Sequence, residues 1–131
     1  MCSFNNNYSE STYLAETSRL NLLLKDKNFQ VIHNRLRKIN SQFILLLFGS
    51  YANNKATRTS DIDFLLITNA AEDIEKEISL IPLNIHLTSI THEDFINMLK
   101  SKEQTVVSEA LKNNIILFGI EDYYRLIKNA R

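Results

Sequence analysis

The chain has 131 residues, which is enough for one domain with a substantial hydrophobic core. Its 15 basic and 15 acidic residues balance to a formal net charge of zero, so it lacks the basic excess that is typical of general nucleic-acid binding. The only cysteine, Cys2, excludes an internal disulfide and predicts a free thiol in a reducing cytoplasm. The first 13 residues are polar and predict no signal peptide.

Two helices are predicted before the first strand. Residues 1–10 should be poorly ordered, and leucines at helical spacing predict a helix over Thr12–Lys25. A second helix is predicted over Phe29–Asn40, with one apolar face and one basic face. We interpret the basic face as solvated, and a patch for an acidic partner or RNA is the alternative. The chain is therefore divided into an N-terminal extension, residues 1–28, and a main domain, residues 29–131.

The centre of the chain consists of two apolar runs that bracket a polar segment. Phe43–Phe48 and Ile62–Ile67 are each too short to span a membrane and have the length of buried strands. The polar segment opens with Gly49-Ser50, and ten residues separate Ser50 from Asp61. We predict a strand, a glycine turn, a short helix, a loop and a second strand.

The remaining elements alternate helices and strands. Asn69 and Glu72 form a capping-box pattern that predicts a core-facing helix, which Pro82 ends, and Leu83–Ile90 alternates as a half-buried third strand. Two further capping-box patterns predict two more helices. These patterns pair Thr91 with Asp94 and Ser101 with Gln104. A strand over Ile115–Phe118, a turn at Gly119 and a helix over Ile120–Asn129 complete an α/β (α+β) chain with one sheet flanked by helices.

Asp61 and Asp63 are the candidate metal ligands. Side chains alternate along a strand, so the two carboxylates should share one face while Ile62 and Phe64 occupy the other. Mg²⁺ prefers one or two carboxylates together with phosphate oxygens, which suits a nucleotide substrate. Read alone, such a pair is commonly only a solvated strand end.

The polar segment before these carboxylates contains the candidate nucleotide-binding residues. Gly49 has no Cβ and lets the backbone approach a ligand closely, and Ser50 offers a hydroxyl and a backbone N–H to phosphate. Lys55 and Arg58 lie between this turn and the carboxylates, so each is a candidate for contacting a triphosphate, with a solvated loop cation as the alternative. A Gly-Ser pair alone is usually only a turn, but here it is combined with the two carboxylates. The combination indicates a metal–nucleotide site.

At these residues the chain resembles the nucleotidyltransferase superfamily, specifically its minimal branch. Members carry a Gly-Ser after the first strand and an Asp-x-Asp on the next, as Gly49-Ser50 and Asp61-Ile62-Asp63 do here. The resemblance runs from about Phe29 to Tyr124 and implies a mixed sheet flanked by helices. It departs from the family at Asn53-Asn54, where many members have Arg-Gly.

The resemblance implies a Mg²⁺-dependent transfer of a nucleoside monophosphate, AMP from ATP or its counterpart from another triphosphate, to an acceptor. In the family the frequent partner is a helical toxin of the HEPN type, which makes a protein side chain the expected acceptor. The alternative is a binding module of the same fold that acts as an antitoxin by contact, with weak or lost catalysis. The sequence leaves the oligomeric state open, including a homo-oligomer.

The family's third carboxylate, on a later strand, is not evident in this sequence. The polar face of the predicted third strand offers Asn84 and His86 instead, and a histidine can accept a proton near neutral pH. His86 is therefore a candidate catalytic residue, with a surface histidine of no catalytic role as the alternative. Three acidic residues, which the sequence does not place, are further candidates to replace the carboxylate: Glu77, Glu93 and Asp94.

Overall fold

The computed structural model describes residues 9–101 and 103–130. The expectations for the polar N-terminus and for Cys2 therefore lie outside the described residues, apart from Ser9 and Glu10. Within the described residues, four strands and six α-helices follow one another along the chain. Their bounds are α1 (Glu10–Leu23), α2 (Lys27–Leu36), β1 (Ile44–Phe48), β2 (Ile62–Ile67), α3 (Glu72–Ser79), β3 (Ile85–Ile90), α4 (His92–Lys100), α5 (Val106–Lys112), β4 (Ile115–Phe118) and α6 (Ile120–Asn129).

The strands form one mixed sheet in the order β3-β2-β1-β4. Strand β1 pairs antiparallel with β2 and with β4, whereas β2 and β3 run parallel. Helix α3 makes the crossover between the two parallel strands, as a parallel connection requires. The predicted α/β architecture, a mixed sheet flanked by helices, is confirmed.

Helices cover both faces of this sheet, which explains the continuous apolar runs of β1 and β2. On one face Leu45 and Leu47 pack with side chains of α2 and α3, and leucines of α1 join this layer. On the other face Ile44 and Leu46 pack with side chains of α4, α5 and α6. A strand buried on both faces has no polar side to alternate with, so its sequence reads as an unbroken apolar run.

Two of the predicted capping boxes are wrong. Helix α3 begins after Ala71 without a side-chain cap, and the Asn69 carboxamide instead accepts a hydrogen bond from the His92 amide at 3.3 Å. Ser101 follows the end of α4, and the box that begins α5 pairs Thr105 with Ser108. By contrast, Thr91 caps α4 as predicted, since its hydroxyl accepts from the Asp94 amide at 3.0 Å.

The helices before β1 differ slightly from the prediction. Helix α1 begins two residues before Thr12, and α2 ends at Leu36, four residues before Asn40. On the face that was interpreted as solvated, His33 stacks on Phe118 with ring centroids 4.7 Å apart. The division between an extension and a main domain at residue 28 stays a prediction. No helix within residues 9–101 and 103–130 is both long enough and apolar enough to cross a lipid bilayer.

Tyr123 on α6 provides a test of the packing between α6 and α5. The ring is buried, and its phenol oxygen accepts a hydrogen bond from Asn114 at 3.2 Å. Burial raises the pKa of Tyr123 to about 12, although the Asn114 hydrogen bond acts in the opposite direction. A group whose pKa is raised on folding contributes stability that is fully present below its pKa in the unfolded chain, about 10 for tyrosine. That contribution is lost as the pH rises through the pKa of the group in the folded protein.

We therefore expect the free energy of unfolding in urea to fall between pH 10 and 12. The contribution of Tyr123 to this fall should be on the order of 2 kcal/mol, at about 1.4 kcal/mol per pKa unit. Tyr123→Phe should show a smaller fall, because it has no phenol to ionise. Tyr51→Phe, a matched change elsewhere, should keep the wild-type fall. Equal falls for wild type and Tyr123→Phe would contradict the assignment.

Candidate active site

The end of β1 and the start of β2 lie against each other at one edge of the molecule. Phe48 pairs with Asp63 in the antiparallel register, and Gly49 follows directly with a left-handed φ of +75°. A Cβ built on Gly49 would lie 2.5 Å from the Asp63 Oδ2 atom and 3.3 Å from its Cγ. The φ of +75° favours glycine, and a Cβ would in addition displace the Asp63 carboxylate from its position. The backbone turn and the carboxylate thus share one small space.

The segment after Gly49 is a tight turn held by backbone hydrogen bonds. Gly49–Tyr51 forms a short 3₁₀ helix, and the Gly49 carbonyl accepts from the amides of Ala52 and Asn53 at 3.1 Å each. Asn54 adopts a left-handed φ of 58°, a conformation that asparagine tolerates better than most residues. The predicted glycine turn and short helix are confirmed, and Ser50 lies inside the helix.

Asp61 and Asp63 occupy the start of β2. Ile62 and Phe64 are buried in the layer that α2 and α3 cover, so Asp63 points to the opposite face of the sheet. Asp61 directly precedes the strand and is exposed, whereas 28% of the Asp63 side chain is exposed. A half-buried carboxylate beside an exposed one leaves oxygen atoms on the open side for a ligand.

His86 lies next to Asp63 across the parallel pairing of β2 and β3. The two residues are register partners, and the His86 Nδ1 atom lies 3.5 Å from the Asp63 Oδ1 atom. The imidazole is 72% exposed, so it is open to a second molecule. The structure therefore brings the candidate His86 together with Asp63, through a register that the sequence pattern does not specify.

The acidic residues considered as replacements for a third carboxylate do not cluster around Asp63. Glu77 pairs with Arg35 at 3.5 Å, between α3 and α2 on the opposite face of the sheet. Glu93 and Asp94 lie in the first turn of α4. Within residues 9–101 and 103–130, no group of three or more His, Cys, Asp or Glu side chains is arranged to hold a metal ion.

Of the two loop cations, Arg58 lies on the side of β2 opposite Asp63. Lys55 and Arg58 are both exposed. Arg58 lines an open cleft of about 500 Å³ together with Tyr51, Ile62 and Asn84. Because Ile62 belongs to the face opposite Asp63, this cleft opens on the other side of β2.

Asn113 is a residue at this site that the sequence analysis missed. The pair Asn113-Asn114 marks only the end of α5 in the sequence, yet the Asn113 carboxamide reaches the turn after Gly49. It donates from Nδ2 to the Ala52 carbonyl at 3.2 Å and to the Asn53 side chain. No spacing rule predicts a contact between residues 61 positions apart in the chain.

The donor set of Asp61 and Asp63 fits Mg²⁺ better than a metal enclosed by protein ligands alone. The carboxylates of Asp61 and Asp63, at the open start of β2, would supply some of the oxygen ligands of Mg²⁺, which commonly takes the others from water and substrate phosphates.

A mixed sheet with a glycine turn packed on an Asp-x-Asp strand is the arrangement of nucleotidyltransferase domains. The family model described as "Polymerase beta, Nucleotidyltransferase" matches residues 30–123, which is well over half of the chain. The chain therefore belongs to this nucleotidyltransferase family, and the predicted resemblance is confirmed.

A solved structure shows the same fold. It is described as a "Crystal structure of the toxin-antitoxin with AMP-PNP", and one of its chains aligns with a TM-score of 0.51 at 18% identity. The alignment covers 79% of this chain and 82% of that chain. A comparison with curated proteins finds no match.

The packing of Gly49 on Asp63 leads to a test with a matched control. Gly49→Ala should destabilise the protein by roughly 1–2 kcal/mol, the cost of a left-handed L-residue, and should also displace the carboxylate and weaken the binding of AMP-PNP. Gly119, with a φ of +84°, would place a Cβ 2.9 Å from the Phe43 carbonyl oxygen at the other end of β1.

Gly119→Ala should therefore lower stability without a comparable loss of nucleotide affinity. Urea unfolding and calorimetric titration with AMP-PNP and Mg²⁺ measure the two effects. If both variants bind the nucleotide like wild type, the Gly49 turn is only a structural turn.

Proposed function

We propose that this chain is a Mg²⁺-dependent nucleotidyltransferase that moves AMP from ATP to a side chain of a partner protein. The observation that carries the proposal is the contact of Gly49 with the Asp63 carboxylate. This contact supports a phosphate-binding turn beside a metal-binding carboxylate, in a chain of the nucleotidyltransferase family.

The proposed roles follow from position. Asp61 and Asp63 hold Mg²⁺, which when bound neutralises charge on the phosphates. Gly49 and Ser50 hold the triphosphate through backbone N–H groups and the serine hydroxyl. Lys55 and Arg58 lie on the exposed loop between the turn and β2 and are assigned supporting contacts to the triphosphate. For Arg58, which lines the cleft on the other side of β2, this contact requires its side chain to swing toward Asp63.

The proposed reaction forms one phosphorus–oxygen bond and breaks another. The hydroxyl oxygen of the acceptor attacks the α-phosphorus of ATP, the bond to the bridging oxygen breaks, and pyrophosphate leaves. The hydroxyl proton passes to His86, which lies beside Asp63 and is open to solvent. Asp63 orients the imidazole through its contact with Nδ1.

Two observations support ATP and a protein partner. The structural neighbour is a toxin-antitoxin with AMP-PNP, an ATP analogue. The resemblance to the minimal nucleotidyltransferases implies a helical partner of the HEPN type. We therefore propose that the acceptor is a hydroxyl-bearing side chain of such a toxin, and that transfer silences it.

A second candidate function is an antitoxin that acts by contact alone. It is favoured by the missing third acidic ligand, since the described residues hold no three-ligand metal group. In this case nucleotide binding persists while transfer is lost.

Intact mass of a partner co-expressed with this chain separates the two functions. We expect a mass increment of one or more nucleoside monophosphates on the partner with wild type and none with Asp63→Asn, because loss of a metal carboxylate removes the charge neutralisation of the triphosphate. Asp122→Asn, a matched change on the exposed face of α6, should behave like wild type. An unmodified partner that wild type still neutralises stoichiometrically would overturn the enzyme proposal in favour of the contact antitoxin.

The role of His86 is tested by the transfer rate. His86→Ala should slow transfer roughly 10²-fold, the usual contribution of a positioned proton acceptor, while AMP-PNP affinity changes little. His92→Ala, which changes a histidine on α4, is the matched control and should keep the wild-type rate. A neutral His86→Ala variant would mean that the proton leaves by another route.

A further inference from the structure

Arg19 and Asn113 form a polar connection between α1 and the turn that follows Gly49. The Asn113 Oδ1 atom accepts a hydrogen bond from the Arg19 guanidinium at 2.9 Å. Its Nδ2 atom donates to the Ala52 carbonyl at 3.2 Å and to the Asn53 side chain. One carboxamide thus joins a helix at the start of the chain to the candidate active site.

The orientation of the Asn113 carboxamide follows from its neighbours. A guanidinium only donates hydrogen bonds, and a backbone carbonyl only accepts them. The oxygen must therefore face Arg19, and the nitrogen must face Ala52. A flipped amide would lose the hydrogen bonds to Arg19 and to Ala52, so only one orientation of the carboxamide satisfies both neighbours.

The contact acts on the residues that close the turn. Ala52 is 8% exposed, and a buried carbonyl needs a hydrogen-bond partner, which Asn113 supplies. The amides of Ala52 and Asn53 in turn donate to the Gly49 carbonyl at 3.1 Å each. Asn113 therefore holds the far side of the same turn whose near side packs on Asp63.

Arg19 is itself anchored within the protein. Its guanidinium lies 3.6 Å from a carboxylate oxygen of Glu16, which is buried. The other carboxylate oxygen of Glu16 accepts from the Tyr124 hydroxyl on α6. Burial and the Glu16 carboxylate raise the pKa of Tyr124, so the phenol stays protonated and remains a donor.

We propose that Arg19 and Asn113 are positioning residues that hold the Gly49–Tyr51 turn in its phosphate-binding conformation. This inference rests on the proposed function, and it means that α1 contributes a residue that supports the nucleotide-binding turn. Arg19 lies outside the family match, which begins at residue 30. The matched domain alone therefore lacks one support of its nucleotide turn.

Variants of Asn113 separate positioning from simple stabilisation. Asn113→Ala removes the contacts with Arg19, Ala52 and Asn53. It should weaken AMP-PNP binding and raise the KM for ATP about tenfold, with a smaller change in kcat, because a misplaced turn loses phosphate contacts. Asn113→Asp keeps an acceptor for Arg19 but places a second acceptor against the Ala52 carbonyl. It should lose nucleotide affinity at least as much as Asn113→Ala, although its contact with Arg19 remains.

Variants of Arg19 test the connection from α1. Arg19→Met keeps the aliphatic packing and removes the donor, so it should show part of the Asn113→Ala loss, and Arg19→Lys should restore some affinity. Arg125→Ala, which breaks an exposed ion pair with Asp122 on α6, is the matched control and should bind like wild type. Because Arg19 acts through Asn113, the double variant Arg19→Met with Asn113→Ala should be no worse than Asn113→Ala alone.

Hydrogen exchange gives a readout that does not depend on nucleotide chemistry. In Asn113→Ala without ligand, the amides of Ala52 and Asn53 should exchange about tenfold faster, whereas amides in the centre of β1 should not change. Unchanged exchange at both amides overturns the positioning role.

The nucleotide measurements then show which proposal fails. If Asp63→Asn loses binding while the Asn113 and Arg19 variants bind like wild type, the positioning role is wrong and the proposed function stands. If Asp63→Asn binds like wild type, the proposed function fails and the nucleotide part of this inference fails with it. Faster exchange would in that case still show that Asn113 holds the turn, but not that the turn serves phosphate.

Discussion

The close approach of the Gly49 backbone to the Asp63 carboxylate is the constraint on which the rest of the site depends. A methyl group at Gly49 would overlap the carboxylate oxygen, so the absence of a Cβ is what lets the turn lie this close to Asp63. That separation is set by the antiparallel pairing of β1 with β2, in which Phe48 faces Asp63. The pairing in turn is held by a sheet whose two central strands are buried on both faces. The hydrophobic layers therefore position the polar groups of the site.

Local sequence patterns predicted most of the helices and strands. The predictions failed at helix ends whose capping depends on residues distant in the sequence. The strands β1, β2 and β4 could be predicted because uninterrupted apolar runs have few alternatives. The helix starts were less certain, since a capping pattern states only what a side chain is able to do. Asn69 bonds to the amide of His92 and not to its own helix, because β3 and α4 bring that amide near. Thr105 takes the capping role predicted for Ser101, which lies at the end of α4.

The candidate site, like the fold, has contacts that local sequence patterns predict and contacts that they do not. Gly49 and Asp63 are close in sequence and belong to one strand–turn–strand unit, so their proximity could be predicted. The neighbourhood of His86 and Asp63 depends on the parallel register of β2 and β3, which no local pattern specifies. The contact between Arg19 and Asn113 is even harder to predict, because the two residues are 94 positions apart in the chain. An apolar face of a helix or strand appears in the sequence as a periodic pattern, whereas a polar contact between distant residues produces no such pattern.

The imidazole beside Asp63 also changes the charge balance of the site. A third carboxylate would add negative charge, which strengthens the binding of divalent ions but repels a triphosphate more strongly. A histidine at this position adds no negative charge, and in the proposed mechanism its contact with Asp63 orients the ring. The site should therefore depend more on the backbone of the Gly49 turn than a three-carboxylate site does. That dependence gives a physical reason for supporting the turn from its far side, through Asn113 and a helix outside the matched domain.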